Sequence, residues 1–327
     1  MPKAPMCKAI VQARAGGPEE LRWEDVPMPA PGPDEALVRH TAIGVNFVDI
    51  YRRRDTAAKF PLTPGAEGVG VVTAVAPDVT AVRPGDRVGY ATRRSGSYAE
   101  YAVVGAAQLI PLPADIADDA AATVMLKGFT AEYLLHRTHA VRAGETILVH
   151  AAAGAMGLTL VRWAKALGAR VLGTTSSSEK ARAAEAAGCD AVILYTREDF
   201  AARAKALTNG RGVDVVYDGV GRDTFEKSLE ALAVLGHLIS YGQASGPVPA
   251  FELTRLAGKS LTVSRPTLFD YTADRPRYEE MAVRVFDAVR RGWLVPAVGQ
   301  RWPLKDAAAA HRALEARETI GATVLVP

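Results

Sequence analysis

The chain has 327 residues, enough for two domains of ordinary size. Its hydrophobic content of 49% and its charged content of 23% are typical of a globular protein. The net charge of +3 arises from 39 basic and 36 acidic side chains, which are spread along the sequence without a basic block. This composition argues against nucleic-acid partners and against binding to a membrane surface.

The sequence contains two cysteines, Cys7 and Cys189. Two cysteines are too few for a disulfide framework or for a zinc lobe held by four thiolates, and we expect both to be inert. The N-terminal segment has no apolar core of signal-peptide length, and no uninterrupted apolar run reaches the roughly 18 residues typical of a membrane span. We therefore expect a cytoplasmic protein with no membrane partner.

The first third of the chain is dense in glycine and proline and predicts short strands. Apolar and polar residues alternate over 35–45, 68–76 and 86–91, and turn sequences such as PGPDE and VRPGD separate these runs. Over 118–139 the apolar residues recur every three or four positions, which predicts a helix.

From Glu145 onward, short apolar runs alternate with helical stretches, the pattern of β-α units that build a parallel sheet. The pattern predicts six strands, at 146–150, 169–174, 190–194, 213–218, 236–242 and 260–264. The helices between them are expected to begin near Ala155, Ser178, Glu198, Asp223 and Phe251. We therefore predict an α/β fold in which this segment is a Rossmann doubly wound parallel sheet of six strands.

After Pro266 the chain returns to mixed structure, with one amphipathic helix over 277–292 and a closing strand at 322–327. The simplest arrangement places residues 1–127 and 266–327 together in one β-rich domain. The nucleotide-binding domain, residues 128–265, is then inserted between them.

The sequence HAAAGAMGLTLVRWAKALGA, which begins at His150, carries only small residues between the first of these strands and its helix. Its spacing, Ala151-x-x-Gly154-x-x-Gly157, is typical of a dinucleotide-binding turn. In such a turn one glycine lets the backbone approach the pyrophosphate, the next permits close helix packing, and the helix N-terminus offers free N–H groups. A purely structural glycine turn is the alternative. The candidate cofactor-binding residues here are Gly154, Ala155, Met156 and Gly157.

The end of the second strand predicts which dinucleotide is bound. NAD-binding proteins usually end this strand with Asp or Glu, which holds the ribose 2′-hydroxyl. Here the sequence is VLGTTSSSEK, so Ser176 and Lys180 would instead attract a 2′-phosphate and favour NADPH. The alternative is that the serines from Ser176 to Ser178 cap the next helix while Lys180 is solvated; both interpretations can hold together.

These segments, together with AIGVNFVDIYRR, LKGFTAEYLL, VYDGVGRDTFEKSLEAL and SRPTL, resemble the zinc-independent quinone oxidoreductases. That family is a branch of the medium-chain dehydrogenase/reductase superfamily and includes ζ-crystallin. The resemblance covers nearly the whole chain and implies a GroES-like catalytic domain, a Rossmann domain, NADPH as cofactor and a homodimer formed through the Rossmann domains. It also implies cofactor contacts from Thr130, Tyr195, Val220, Tyr241, Gly242, Gln243 and Arg317.

The same resemblance places Asn46 and Tyr51 in the segment that faces the nicotinamide. Asn46 could donate a hydrogen bond from its amide, and Tyr51 from its phenol, to a carbonyl oxygen of the acceptor. The alternatives are a turn residue and a partly buried aromatic. The chain departs from the family at three places: Ala155 stands where a second glycine is common, Arg162 stands where Gln is often found, and 53–58 lacks the usual Arg-Ser-Gly and tyrosine.

The related alcohol dehydrogenases bind a catalytic zinc through a Gly-His-Glu motif and a cysteine. The corresponding sequence here is PGAEGVG, with Ala66 in the histidine position, and no cysteine occurs in GVNFVD. A methyl group cannot ligate zinc, so we expect no metal and no alcohol oxidation. Two histidines, His150 and His311, are expected to be structural: His150 bonded to backbone, and His311 an ordinary helix residue.

The sequence therefore predicts an NADPH-dependent quinone reductase that transfers hydride or electrons to a small molecule. The nearest alternative is an NADPH-dependent enone or enoyl reductase, which would reduce an activated alkene with the same fold and cofactor. A non-enzymatic NADPH-binding protein, crystallin-like or RNA-binding, is a second alternative.

Overall fold

The computed structural model describes residues 5–327, and within it the chain forms two compact units. The first contains the chain up to Phe129 together with Thr272–Phe286 and Pro296–Pro327, and the second contains Thr130–Tyr271 and Asp287–Val295. The sequence-based boundaries, 127/128 and 265/266, differ from these by two and six residues. In addition, 287–295 belongs to the second unit rather than to the first.

The strands and helices are numbered in chain order. The strands are β1 Met6–Gln12, β2 Leu21–Pro27, β3 Glu35–Val45, β4 Glu67–Val75, β5 Arg87–Ala91, β6 Tyr101–Gly105, β7 Ile110–Pro111, β8 Thr146–Val149, β9 Arg170–Thr175, β10 Ala191–Leu194, β11 Val213–Asp218, β12 Leu232–Ser240, β13 Thr262–Ser264, β14 Val298–Pro303 and β15 Ala322–Val326. The α-helices are α1 Phe47–Arg53, α2 Asp118–Tyr133, α3 Ala155–Ala166, α4 Ser178–Ala186, α5 Phe200–Leu207, α6 Phe225–Ala231, α7 Leu268–Tyr271, α8 Arg275–Arg290 and α9 Ala307–Glu315.

The second unit is built on a parallel sheet of six strands in the order β10-β9-β8-β11-β12-β13. Counted within the unit this order is 3-2-1-4-5-6, the doubly wound order of the Rossmann fold. The prediction of this fold class is confirmed. Its core consists of strand residues such as Leu148, Leu172 and Val216 packed against Phe200 and Phe225 of the covering helices.

The first unit is β-rich, as predicted. Its larger sheet has the order β14-β15-β3-β4-β5-β7, with β6 also paired to β3, and all its pairs except β14–β15 are antiparallel. A separate antiparallel ribbon joins β1 and β2. The long strand β3 leads directly into α1 through Asn46, which places the predicted acceptor-contacting segment at the end of a central strand.

Two predicted helices differ from those observed. The helix expected near Phe251 is a 3₁₀ helix over Leu253–Lys259, a short form that ends at Ser260 in the left-handed region. The helix expected over 118–139 is α-helical only to Tyr133 and continues as a π-helical turn, Leu134–Thr138. The periodicity of apolar residues indicates helix in both places, but it does not distinguish one helical hydrogen-bond pattern from another.

Helix α3 begins so close to the turn after β8 that only glycine fits at its third position. A Cβ on Gly157 would lie 2.3 Å from the carbonyl oxygen of Ala151 and 2.7 Å from the Cα of Ala152. A Cβ on Gly154 would meet only the Ala151 oxygen, at 3.3 Å. Gly157 therefore has the close-packing role that the sequence pattern predicts for it.

We expect Gly157→Ala to displace the start of α3 and to lower the free energy of unfolding by about 1–3 kcal/mol, the usual cost of overpacking. Gly154→Ala is the matched control, because its methyl has more room and its backbone is extended, with φ −72°. Thermal or urea unfolding measures both. Equal effects of the two substitutions would contradict the packing argument.

Candidate functional site

The turn after β8 presents backbone amides at the centre of the parallel sheet. Gly154 precedes α3 in an extended conformation, and the first amides of the helix, those of Ala155, Met156 and Gly157, have no acceptor within the helix because no preceding turn exists. Gly154, Ala155 and Met156 are only half-buried. Unpaired amides and the positive end of the helix dipole together form an anion site.

The neighbouring strands β9 and β10 bring a second group of predicted residues together. The backbone N–H of Tyr195 donates to the Thr175 carbonyl at 3.2 Å, and the hydroxyl of Thr196 donates to the Ser176 carbonyl at 3.1 Å. The cap of α4 is Ser177, whose hydroxyl accepts the Lys180 backbone N–H at 3.3 Å. Ser177 is therefore the serine that caps α4, and Ser176 does not have that role.

No carboxylate follows β9 directly, because the chain there runs through Thr175, Ser176 and Ser177. A carboxylate at this position would bind a free ribose hydroxyl and repel a 2′-phosphate. Tyr195, 42% exposed, stands beside the same strand end. The chemistry of this corner of the sheet therefore suits a phosphorylated ribose.

On the other side of the turn, two loops pack together after β11 and β12. The amide of Ser245 donates to the Val220 carbonyl at 2.9 Å. A Cβ on Gly219 would lie 2.9 Å from the Tyr241 ring, and one on Gly242 would lie 2.6 Å from the Gly219 oxygen. The predicted residues Val220 and Tyr241–Gln243 thus lie side by side at the carboxyl ends of adjacent strands.

The carboxylate of Asp218 holds the first of these loops in place. It is fully buried and accepts hydrogen bonds from the amides of Val220 (2.7 Å) and Gly221 (3.0 Å) and from the hydroxyl of Thr224 (2.8 Å). Gly221 has φ +87°, a conformation that favours glycine. Asp218 therefore sets the shape of the loop that carries Val220.

These features fit a dinucleotide. The small-residue turn lies after β8, where the strand order reverses between β9 and β11, and ligands of open α/β sheets bind at such a point. The Gly154–Gly157 turn leaves amides open for a pyrophosphate, and the corner at Ser176 suits an additional phosphate. The residues present therefore fit NADPH.

Two further predicted cofactor residues belong to helix α2 and to the segment after α9. Thr130 is buried within α2, and Arg317 is exposed just after α9 with φ 59°. Arg317 belongs to the first unit, whereas the turn after β8 belongs to the second. Their contacts with a cofactor stay predictions.

In the first unit, Asn46 is the centre of a buried polar cluster. Its amide Nδ2 donates to Glu67 Oε2 at 2.8 Å, and its Oδ1 accepts a hydrogen bond from Lys127 Nζ at 2.7 Å. Glu67 Oε1 accepts the Leu126 backbone N–H at 2.6 Å. Asn46 is therefore not a plain turn residue, since both ends of its amide are bound by buried charged groups.

Helix α1, which carries Tyr51, is held by a second buried chain of hydrogen bonds. Arg53 Nη1 donates to His311 Nδ1 at 2.7 Å, and Arg53 Nη2 reaches Glu315 Oε1 at 2.5 Å. Because an arginine only donates, His311 carries its proton on Nε2 and donates it to Tyr98 Oη at 3.0 Å. The Tyr98 hydroxyl in turn donates to Asp49 Oδ2 at 3.1 Å.

The expectation that His311 is an ordinary helix residue is wrong. Its side chain is fully buried, and burial together with the neighbouring Arg53 lowers its pKa to about 3. It links α9 to α1 as a neutral imidazole. Tyr51 itself is half-buried, with its ring 6.2 Å from that of Phe47.

The second histidine, His150, is structural as expected, but its partners are different. Its ring nitrogens contact the hydroxyls of Thr174 and Ser228, each at 2.9 Å, and not backbone groups. Burial lowers its pKa, which keeps the ring neutral. Burial also raises the pKa of Cys189 to about 12, in agreement with an inert thiol.

Known proteins match the chain over nearly its whole length. Residues 32–114 match the alcohol dehydrogenase GroES-like domain, and 155–287 match the family described as zinc-binding dehydrogenase. A quinone oxidoreductase of Pseudomonas aeruginosa is 47% identical over 98% of this chain and 100% of its own. A 2-haloacrylate reductase of a Burkholderia species is 43% identical over 98% of this chain and 99% of its own.

The solved structure of Escherichia coli quinone oxidoreductase complexed with NADPH superposes with a TM-score of 0.95 at 40% identity, covering 98% of this chain and 100% of that one. The chain belongs to the quinone oxidoreductase family. The family resemblance and the GroES-like character of the first unit are thereby confirmed.

Two further observations concern metal and membrane. Within residues 5–327, no three or more His, Cys, Asp and Glu side chains are grouped so that they could hold a metal ion. In the same part of the chain, no helix has both the length and the apolar character needed to cross a bilayer.

The sequence analysis did not single out three residues that shape the candidate site: Glu67, Lys127 and Asp218. Each has a local signal. Glu67 and Lys127 are single charges among small or apolar residues, in GAEGVG and VMLKGF, and Asp218 ends the apolar run VDVVYD. A lone charge in such a run is buried and therefore needs a partner.

Burial raises the pKa of Asp49 from 3.8 to about 6. The folded protein therefore keeps this proton at pH values where the unfolded chain has lost it, so wild-type stability falls as the pH rises through this window. Asp49→Asn removes the ionisation. Between about pH 4 and pH 7 the variant should gain up to about 3 kcal/mol of unfolding free energy relative to wild type.

Urea unfolding at a series of pH values measures this difference. Asp55→Asn is the control, because the Asp55 side chain is exposed and its hydrogen bond from the Ala57 amide lies at the surface. A stability difference between Asp49→Asn and wild type that does not change with pH would contradict the assignment.

Proposed function

We propose that this protein is an NADPH-dependent quinone oxidoreductase that acts without zinc. The proposal rests on the ends of two adjacent strands, β8 and β9, at the point where the strand order of the Rossmann sheet reverses. One presents open amides at Gly154–Gly157. The other is followed by Ser176, where an NAD-binding protein has a carboxylate, and Lys180 lies in the first turn of α4. The relatives described above support the same activity.

In this proposal the turn amides bind the pyrophosphate, while Ser176, Lys180 and Tyr195 bind the 2′-phosphate. Arg317 adds to the 2′-phosphate site. The remaining predicted contacts surround the nicotinamide half of the cofactor and come from Thr130, Val220, Tyr241, Gly242 and Gln243. Bound NADPH supplies a hydride to a small-molecule acceptor. Asn46 and Tyr51 lie in the segment that positions the acceptor.

Activated alkenes are a second class of acceptor for the same site. A relative 43% identical over 98% of this chain is a 2-haloacrylate reductase, which is named for an alkene substrate. Quinones and activated alkenes both place negative charge on oxygen after they accept a hydride, so one arrangement of donors serves both.

The direct test is NADPH oxidation with 1,4-benzoquinone, with 9,10-phenanthrenequinone and with an α,β-unsaturated ketone, each with and without a chelator. We expect turnover of the quinones and no effect of the chelator, because Ala66 has no atom that can bind zinc. Turnover of the ketone alone would favour the alkene reductase. Cofactor binding without turnover of any acceptor would favour a non-enzymatic role.

Lys180→Ala should weaken NADPH binding about 10- to 100-fold, the usual value of a charged hydrogen bond, and leave NADH binding nearly unchanged. Lys165→Ala is the control, because that lysine lies on α3 and its Nζ is bound to Asp190 at 2.8 Å. Calorimetry with both dinucleotides measures the effect. An equal loss for NADH and NADPH would remove Lys180 from the phosphate site.

We also propose that the protein is a cytoplasmic homodimer formed through its Rossmann domains. Strand β13 ends the sheet, and the nearby apolar side chains of Val234 and Leu235 are 70% and 75% exposed. An exposed strand edge beside apolar side chains supports pairing with a second copy. A sedimentation mass of 34.7 kDa, that of a single chain, would contradict the dimer.

A further inference from the structure

The cluster around Asn46 contains a buried ammonium group. Lys127 extends from α2, and its side chain is 7% exposed. Its Nζ lies 2.7 Å from Asn46 Oδ1 and 3.4 Å from Glu67 Oε2. An ammonium group that is removed from water needs a reason to be there, either structural or chemical.

The Glu67 carboxylate does not depend on Lys127 for its hydrogen bonds. Its two oxygens already accept from the Leu126 amide at 2.6 Å and from Asn46 Nδ2 at 2.8 Å. The lysine contact, at 3.4 Å, is the longest of the three, whereas direct ammonium–carboxylate bonds are about 2.7–2.9 Å. The shortest bond of Lys127 is instead to a neutral amide oxygen.

The hydrogens of the Asn46 amide are both directed into the protein. Nδ2 donates to Glu67 at 2.8 Å and approaches the Gly44 carbonyl at 3.4 Å. In this orientation the amide has no hydrogen left for an acceptor molecule. The Lys127 ammonium has three hydrogens, and within residues 5–327 two of them have acceptors.

We propose that Lys127 is the group that stabilises the negative charge of the reduced acceptor, and that Asn46 and Glu67 are positioning residues that orient it. This inference rests on the proposed function. It transfers to Lys127 the donor role that the sequence analysis assigns to the Asn46 amide.

The electron balance of this step is simple. The acceptor takes a hydride, one hydrogen nucleus with two electrons, from the dihydronicotinamide of NADPH. The C–H bond there breaks, a new C–H or O–H bond forms on the acceptor, and NADPH is oxidised to NADP⁺. The acceptor oxygen then carries one negative charge, and the third N–H of Lys127 donates a hydrogen bond to it. Lys127 keeps all its protons, and the product anion takes a proton from water after release.

The variant Lys127→Met tests the proposal, because it keeps an unbranched side chain only one atom shorter and removes the charge. We expect kcat to fall about 10²- to 10³-fold, the usual effect of losing one oxyanion donor, while the NADPH dissociation constant stays unchanged. The loss should be larger for the α,β-unsaturated ketone than for phenanthrenequinone, because the enolate concentrates more charge on its oxygen. A merely structural lysine would not distinguish between acceptors.

A binding measurement tests the role of Lys127 independently of turnover. With NADP⁺ bound, wild-type protein should bind 4-nitrophenolate, an anion that resembles the product, more tightly than the neutral nitrobenzene. Lys127→Met should lose this preference. If the variant binds both compounds as wild type does, the proposal is overturned.

The double variant Glu67→Gln/Lys127→Met separates chemistry from folding. The single variant leaves a buried carboxylate without a nearby cation, so its Tm should fall, and removing both charges should restore it. Under the proposal kcat stays low in the double variant; recovery of kcat together with Tm would assign Lys127 a structural role and overturn it. If wild type turns over no acceptor, the proposed function fails, and the phenolate measurement still tests Lys127.

Discussion

The contact between the start of α3 and the turn after β8 is the constraint on which the nucleotide unit depends. The backbone of Ala151 and Ala152 lies where a side chain on residue 157 would be. This approach brings the open end of α3 to the middle of the sheet, where the strand order reverses. Any larger residue at this position would separate the helix from the strand and move the amides that form the anion site.

The first unit depends instead on buried polar groups that are joined in series by hydrogen bonds. One chain of hydrogen bonds runs from Glu315 through Arg53, His311 and Tyr98 to Asp49. The backbone N–H of Asn46 donates to the same carboxylate of Asp49 at 2.9 Å. Helix α1 is thus fixed at both ends, and residues from distant parts of the sequence set the position of Asn46 and Tyr51.

A buried hydrogen-bond network lowers the stability of the fold unless every polar group in it has a partner. When every group is paired, the network specifies one arrangement of the side chains. Asp49 is the exception here, since its Oδ1 is buried and has no hydrogen-bond partner among the described residues. Its raised pKa follows from this environment. The chain therefore places a proton-binding carboxyl group next to the backbone of Asn46, whose side-chain amide is bonded to Glu67 and Lys127.

The sequence by itself determined the Rossmann sheet, its six strands, the small-residue turn and the absence of a carboxylate after β9, because these depend on local periodicity and on residues that are neighbours in the chain. Only the tertiary structure decided that His311 is buried against Arg53, that Ser177 rather than Ser176 caps α4, and that the amide of Asn46 points inward between Glu67 and Lys127. The pair most distant in sequence among them, Arg53 and His311, is 258 positions apart. Local patterns carry no information about which distant side chains fold against one another, since burial and hydrogen-bond partners are set by the packing of the whole domain.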